Sequence, residues 1–233
     1  MSDLKRYYRN IFRNGEKCLP ETGYDRLPRL ELESHLAVSR YGSFRLTEAV
    51  RPSFDLTVIP QEGYRHDHYL DPVSGRSVPV LMASVSLERL FDTFLALLTP
   101  LGDVVDAVLE TSHTRSGFGH SDLYRERIDI PILKSYFYEY EEILMNDGCT
   151  GVAVLNPRLP AEVQFDEHKM LIVYTHHIQP FEQILLREGI RRNDTMRLIT
   201  EAEHVHTTKK EYASLFQKMC CTLGIDNECW ALY

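Results

Sequence analysis

The pattern of hydrophobic and polar positions changes near residue 86, from short alternating segments to longer helical stripes with strands between them. Residues 29–39 alternate as a half-buried strand does, with leucine and valine on one face and charged residues on the other. Further strands are predicted at 43–49, 54–59 and 78–85. Residues 1–85 are therefore predicted to form a β-rich, mostly antiparallel N-terminal part, with a short amphipathic helix over residues 4–12.

From residue 86 onward, the pattern predicts helices and strands in alternation. Ser86 can cap a helix whose apolar stripe runs from Leu87 to Leu98, and Pro131 suits the first turn of a helix over 130–146. Helices are also predicted from Pro180 to Gly189 and after a capping box made by Thr208 and Glu211. Strands are predicted at 103–112, 151–155, 162–166, 170–175 and 196–206.

Two topologies of this second part fit the order of its elements. If the segments between 151 and 175 form one long hairpin, the order is βαββαβ plus a C-terminal helix, which is ferredoxin-like. If they are three separate strands, the result is a mixed sheet with several parallel members. We predict an α+β fold in which residues 1–85 and 86–233 form two parts packed as one unit, because no linker separates them.

Composition and charge limit the classes of function. The chain carries a formal net charge of −8 and 43% apolar residues, so a globular core is expected and nucleic-acid binding is disfavoured. No apolar run approaches the roughly 20 residues of a membrane helix, and the first residues lack the apolar core of a signal peptide. These features predict a soluble cytoplasmic protein without membrane insertion. The five cysteines include no CxxC pair, so a disulfide framework or thiolate zinc site is not indicated.

Two histidine pairs lie at predicted strand-to-helix junctions. His176 and His177 follow the 170–175 strand, and His204 and His206 end the last strand. A helical crossover makes these two strands parallel, so both pairs are expected at one edge of the sheet. His204 and His206 alternate and share a face, which is the spacing of a metal-binding HxH pair. In the ferredoxin-like topology Asp103 lies between the pairs. The candidate ligands of a divalent metal are therefore His204, His206, His176 and Asp103.

The same edge is also a candidate site for a small, anionic ligand. Each histidine pair precedes a helix N-terminus, where anions are favoured. In the mixed-sheet topology, the end of the 103–112 strand and its glycine-containing loop join this edge. Arg115 in that loop can meet an anionic group. The candidate ligand-binding residues are His113, Arg115, His120, His176 and His177.

No motif identifies an activity. The chain has no Walker loop, no GxGxxG fingerprint and no GxSxG nucleophile, so whether it is an enzyme stays open. The leading hypothesis is a non-catalytic protein that binds a small ligand or a protein partner, with no cofactor predicted. The alternative is a metal-dependent, hydrolase-like enzyme whose divalent ion activates water. Because exposed sheet edges are often covered by dimerisation, a homodimer is also an expectation.

Overall fold

The computed structural model describes residues 28–70, 75–113 and 121–225. The predicted helix over 4–12 and the candidates Arg115 and His120 lie outside these residues. The helices are α1 (Arg29–Leu36), α2 (Leu87–Leu97), α3 (Ile130–Glu139), α4 (Glu141–Asn146), α5 (Gln179–Arg187) and α6 (Lys210–Thr222). The strands are β1 (Arg40–Tyr41), β2 (Phe44–Arg45), β3 (Val50–Pro52), β4 (Gly63–Leu70), β5 (Ser77–Ser84), β6 (Val104–Thr111), β7 (Ser121–Asp129), β8 (Thr150–Leu155), β9 (Ala161–Phe165), β10 (Leu171–Thr175) and β11 (His204–His206). None of the described helices is both long and apolar enough to cross a membrane.

Seven strands form one sheet in the order β4-β5-β10-β9-β8-β6-β7, and each neighbouring pair is antiparallel. The sheet combines β4 and β5 from the first predicted part with five strands from the second. The α+β prediction is confirmed at this level. The ferredoxin-like arrangement is not confirmed, and the described sheet is not mixed. Because β8, β9 and β10 follow one another through short turns, they pair as antiparallel neighbours rather than through helical crossovers.

The two faces of the sheet are covered differently. One face packs against helices α2 to α6 in a large apolar core that includes the fully buried rings of Phe94, Phe137 and Phe216. The other face is covered in part by β2, β3 and residues 196–199, which pack against side chains such as Val80 and Ile172. Among the described residues, short segments rather than α-helices therefore cover the second face.

Residues 29–36 form helix α1, so the prediction of a strand there was wrong. The helix has no buried residue, which means that its alternating leucines do not mark a buried sheet face. Leucine, glutamate and arginine favour helix locally, and Arg29 pairs with Glu33 one turn later at 2.7 Å. Strands β4 and β7 were not predicted either, and few residues of β7 are apolar. The strand predicted at 54–59 was wrong, because these residues form no strand.

The predicted long strand over 196–206 is also different in the structure. Residues Ile199–Glu201 form a 3₁₀ turn, and only His204–His206 form a strand. This strand, β11, pairs with β3 in a separate two-stranded ribbon. Helix α5 therefore does not return the chain to the main sheet, and the parallel relation predicted for the two histidine pairs was wrong. The capping box predicted from Thr208 and Glu211 is not observed at α6, because this helix begins after Lys209 without a side-chain cap.

Candidate metal centre

Histidines lie at both ends of the strands of the seven-stranded sheet. At the first end, called the His168 edge, β9 ends at Phe165 and β10 begins at Leu171. At the opposite end, called the His176 edge, β10 ends at Thr175 and β6 begins at Val104. About 16 Å of extended chain separates the two edges along β10.

The structure divides the predicted metal ligands between these two edges. His176 and His177 are exposed just beyond β10, and Asp103 precedes β6 at the same His176 edge. His204 and His206 lie instead against His168, which occupies the turn between β9 and β10. The structure thus brings two of the four predicted ligands together and places His168 where the prediction had His176.

The three histidine rings form a compact triangle, here called the three-histidine cluster. The ring centroids of His168 lie 4.8 Å from His204 and 4.7 Å from His206, and the last two are 5.2 Å apart. One potential ligand atom from each residue lies within 4.8 Å of the other two. The predicted alternation of His204 and His206 on one strand face is therefore observed. Their partner comes from a distant part of the chain.

Each ring of the three-histidine cluster is held through its Nδ1 atom. Nδ1 of His168 is 2.8 Å from a carboxylate oxygen of Asp166, and Nδ1 of His204 is 2.9 Å from the carbonyl of Ala202. Nδ1 of His206 is 2.7 Å from the carbonyl of Gly148. Because these oxygens accept hydrogen bonds, Nδ1 carries the proton in each ring. The Nε2 lone pair of each neutral ring is then left for a metal ion.

Burial shapes the protonation of these rings. It lowers the pKa of His206 to about 4 and also lowers the pKa of His204. For His168, burial lowers the pKa, but the charge and hydrogen bond of Asp166 outweigh it and the net pKa is raised. At neutral pH His204 and His206 are therefore neutral, which is the form that binds a metal.

Residues 147–150 connect the parts of the cluster to one another. The carbonyl of Gly148 accepts from His206, and the carbonyl of Thr150 accepts from Nζ of Lys169 at 2.6 Å. Lys169 and Asp166 are 5% and 4% exposed, so these two residues of the turn that carries His168 are buried. Burial lowers the pKa of Lys169 to about 8. One short segment therefore fixes both β11 and the β9–β10 turn.

His113 is the one predicted ligand-binding residue that the structure places at the His168 edge. Its Nε2 is 2.6 Å from Asp147, whose same oxygen accepts the Thr150 hydroxyl at 2.5 Å. Cys149 lies close enough to complete a second group of potential metal ligands. The buried carboxylate of Asp147 is satisfied by these hydrogen bonds, so a structural role accounts for the group. The other described candidates for ligand binding, His176 and His177, lie at the opposite edge.

Glu110 is a buried acid that the sequence did not single out. It lies on β6 beside Gly151, and its Oε1 atom has no hydrogen-bond partner among the described residues. A Cβ atom on Gly151 would come within 3.0 Å of the Glu110 carboxylate, so the missing side chain makes room for it. Burial, together with the nearby charges of Asp122 and Asp166, raises the pKa of Glu110 to about 8.

Replacing Glu110 by glutamine is expected to change how stability depends on pH. Between pH 4.5 and about 8 the folded wild type keeps a proton that the unfolded chain releases. The free energy of unfolding therefore falls as pH rises, by about 1.4 kcal/mol for each pH unit from this group. Urea unfolding of metal-free protein at pH 5.5 and 7.5 should show a smaller difference for Glu110→Gln than for the wild type. An equal difference in both proteins would contradict a protonated Glu110.

Comparisons with known proteins add no assignment to this geometry. No family model matches the chain, and neither the curated proteins nor the solved structures contain a match to it.

Proposed function

We propose that the three-histidine cluster binds one divalent transition-metal ion such as zinc, and that the protein is a metal-dependent hydrolase. The observation that carries this proposal is the shared orientation of the rings. In all three, Nδ1 lies 2.7–2.9 Å from a fixed oxygen that can only accept, so in the neutral ring Nε2 is the nitrogen that can bind the ion. Metal-bound histidines in proteins are oriented in the same way, by a carboxylate or a backbone carbonyl on the second ring nitrogen.

The number of ligands favours a catalytic site over a structural one. Structural zinc sites use four protein ligands, whereas catalytic sites use three and keep a position for water. Among the described residues, the cluster contains His168, His204 and His206 and no fourth ligand. A zinc ion bound there would lower the pKa of its water and supply a nucleophile at neutral pH.

The distances within the cluster require a small adjustment when an ion binds. Zinc–nitrogen bonds of about 2.0–2.1 Å in a tetrahedral site place the ligand nitrogens about 3.3 Å apart. The potential ligand atoms lie within 4.8 Å of one another, so the largest of these distances needs to shorten by up to about 1.5 Å. Rotation of the three rings about their Nδ1 hydrogen bonds can provide this change without moving the strands.

Removing the charge of Asp166 is expected to weaken metal binding without unfolding the protein. The Asp166→Asn variant keeps an oxygen that can accept from His168 but loses the negative charge that polarises the ring. We expect the affinity for zinc to fall by about 10–100-fold. Competition with a chromogenic chelator measures this, and Asp194→Asn serves as control because that acid is exposed and bonded to Arg192. Equal zinc affinity in the two variants would remove Asp166 from the site.

The proposed activity is tested with the zinc-loaded protein on a panel of chromogenic carboxyl-ester, phosphate-ester and amide substrates. Hydrolysis should require zinc, should disappear in His206→Ala, and should persist in a His176→Ala/His177→Ala variant. If the protein binds zinc at the cluster but hydrolyses none of these compounds, the hydrolase proposal gives way to the non-catalytic binding role. If it binds no metal, both the site and the activity are refuted.

A further inference from the structure

The ribbon formed by β3 and β11 has a second face, opposite to the three-histidine cluster. Arg51 is paired with Val205 in this ribbon, between the positions of His204 and His206. Since side chains alternate along a strand, Arg51 points away from the histidines. It lines a cleft of about 600 Å³, which is within the usual size of small-molecule sites.

Arg51 is a buried cation with no acidic partner among the described residues. Its side chain is 6% exposed, and its Nε donates to the carbonyl of Leu36 at 2.8 Å. Its Nη1 donates to the carbonyls of Thr47 and Val50. Its Nη2 makes no hydrogen bond with any described residue. Glu48 attracts the guanidinium without forming an ion pair with it. A buried cation whose hydrogen bonds go only to backbone carbonyls favours an anion beside its unbonded Nη2.

Two further cations, Arg45 and Lys209, line the same cleft, and each lies near an exposed acid. Nη1 of Arg45 lies 3.8 Å from Glu88, and Nζ of Lys209 lies 2.9 Å from Glu48. The side chains of Arg45 and Lys209 are 44% and 43% exposed, and exposed pairs of this kind contribute little to stability. Arg45 can therefore turn toward a ligand at small cost, whereas Lys209 must exchange its contacts with Glu48 and the Tyr212 ring for those with the ligand. Of the charged side chains along the cleft, three are basic and one, Glu48, is acidic.

The rest of the lining suits a ligand that is only partly polar. Leu36, Leu46 and Leu87 supply apolar surface, and Asn146 supplies an amide. A positive cleft in a chain with a formal net charge of −8 is a local departure from the overall charge. Such a departure selects for anionic molecules at short range.

We propose that this cleft binds a small molecule that carries a carboxylate or phosphate group next to an apolar portion. The anionic group bonds to Nη2 of Arg51 and to the side chains of Arg45 and Lys209. The apolar portion lies on the three leucines. This site is separate from the three-histidine cluster and does not depend on a bound metal.

The test uses metal-free protein, so that the probe cannot bind through a metal ion. Inorganic phosphate and sodium succinate are titrated by isothermal calorimetry and thermal shift, against sodium chloride at equal ionic strength. We expect saturable binding of at least one probe, weakened at least tenfold in an Arg45→Gln/Lys209→Gln variant. An Arg192→Gln variant, which removes an exposed cation outside the cleft, should bind as the wild type does.

Three results would overturn the proposal. The first is the absence of saturable binding of either probe to the wild type. The second is unchanged affinity in Arg45→Gln/Lys209→Gln. The third is loss of binding in a folded His204→Ala/His206→Ala variant, since this would place the anion at the histidines instead. The substitutions of Arg45, Lys209 and the histidines leave Arg51 and its three hydrogen bonds to backbone carbonyls in place. The test therefore does not depend on a variant that unfolds.

Discussion

Protein purified without chelators is expected to contain about one zinc ion, or a similar divalent ion, per chain. The His206→Ala variant is expected to lose this ion. His206 is one of the three proposed ligands, the Gly148 carbonyl accepts a hydrogen bond from its Nδ1, and burial lowers its pKa to about 4. It therefore needs no deprotonation to bind at neutral pH. Removing a ligand should cost more than the 10–100-fold that loss of a ligand's hydrogen-bond partner costs.

The same result should be visible in thermal stability. A ligand present at 1,000 times its Kd stabilises a folded protein by about 4 kcal/mol. For a chain of this length each kcal/mol raises Tm by about 2–4 °C, so zinc should raise the Tm of the wild type by roughly 8–16 °C. Zinc should raise the Tm of His206→Ala far less. Cobalt substitution would show in addition whether the coordination is tetrahedral.

The matched control is His176→Ala/His177→Ala. It removes two exposed histidines from the His176 edge and leaves the cluster untouched. Metal content and zinc-induced stabilisation should equal those of the wild type. Metal that is lost in this variant and kept in His206→Ala would show that the sequence-based choice of His176 was right and that the three-histidine cluster is not the site.

Local patterns along the chain were sufficient to predict most regular elements. The helix of Leu87–Leu97 has a strong apolar stripe, and β5, β8 and β10 are runs of residues that suit buried strands. The misassigned helix α1 and the unpredicted strand β7 both expose many side chains, so their sequences carry little periodic signal. Hydrophobic periodicity therefore fails to predict elements whose side chains are mostly exposed.

Two of the three histidines of the cluster could be found from sequence for a related reason. The HxH spacing on β11 is local, and His204 and His206 were found by it. The third ligand, His168, stands in the segment Asp166–Lys169, whose composition resembles a solvated turn. One local feature could have pointed to His168: an aspartate, Asp166, lies two residues before it. In the structure the Asp166 carboxylate accepts a hydrogen bond from the His168 ring. Which distant strand β11 pairs with is a tertiary property that no local pattern contains.

Gly148→Ala is expected both to destabilise the protein and to weaken zinc binding at the three-histidine cluster. A Cβ atom there would lie 2.4 Å from the carbonyl oxygen of Ala49 and 2.9 Å from that of Thr207. Both contacts are with backbone, which cannot rotate away. Ala49 precedes β3 and Thr207 follows β11, so the whole ribbon would have to move off the sheet edge.

Moving the ribbon would break the bonds that now hold it. The Gly148 amide donates to Thr207 at 2.9 Å, and its carbonyl accepts from His206. Overpacking costs about 1–3 kcal/mol and each lost hydrogen bond costs about 1 kcal/mol more, so we expect a loss of about 3 kcal/mol. The corresponding fall in Tm is roughly 6–12 °C in metal-free protein. Zinc affinity should fall at least tenfold, because the His206 ring loses the oxygen that orients it.

Gly224→Ala is the matched control for this prediction. Gly224 has φ of +67°, so alanine is strained there by about 1–2 kcal/mol, but no atom of the described residues lies within 4 Å of the new methyl group. It should lower Tm modestly and leave zinc affinity unchanged. Calorimetric unfolding with and without zinc separates the two cases. If Gly148→Ala lowers Tm no more than Gly224→Ala and still binds zinc as tightly as the wild type, the β3–β11 ribbon does not rest on Gly148, and the geometry of the three-histidine cluster would have to be revised.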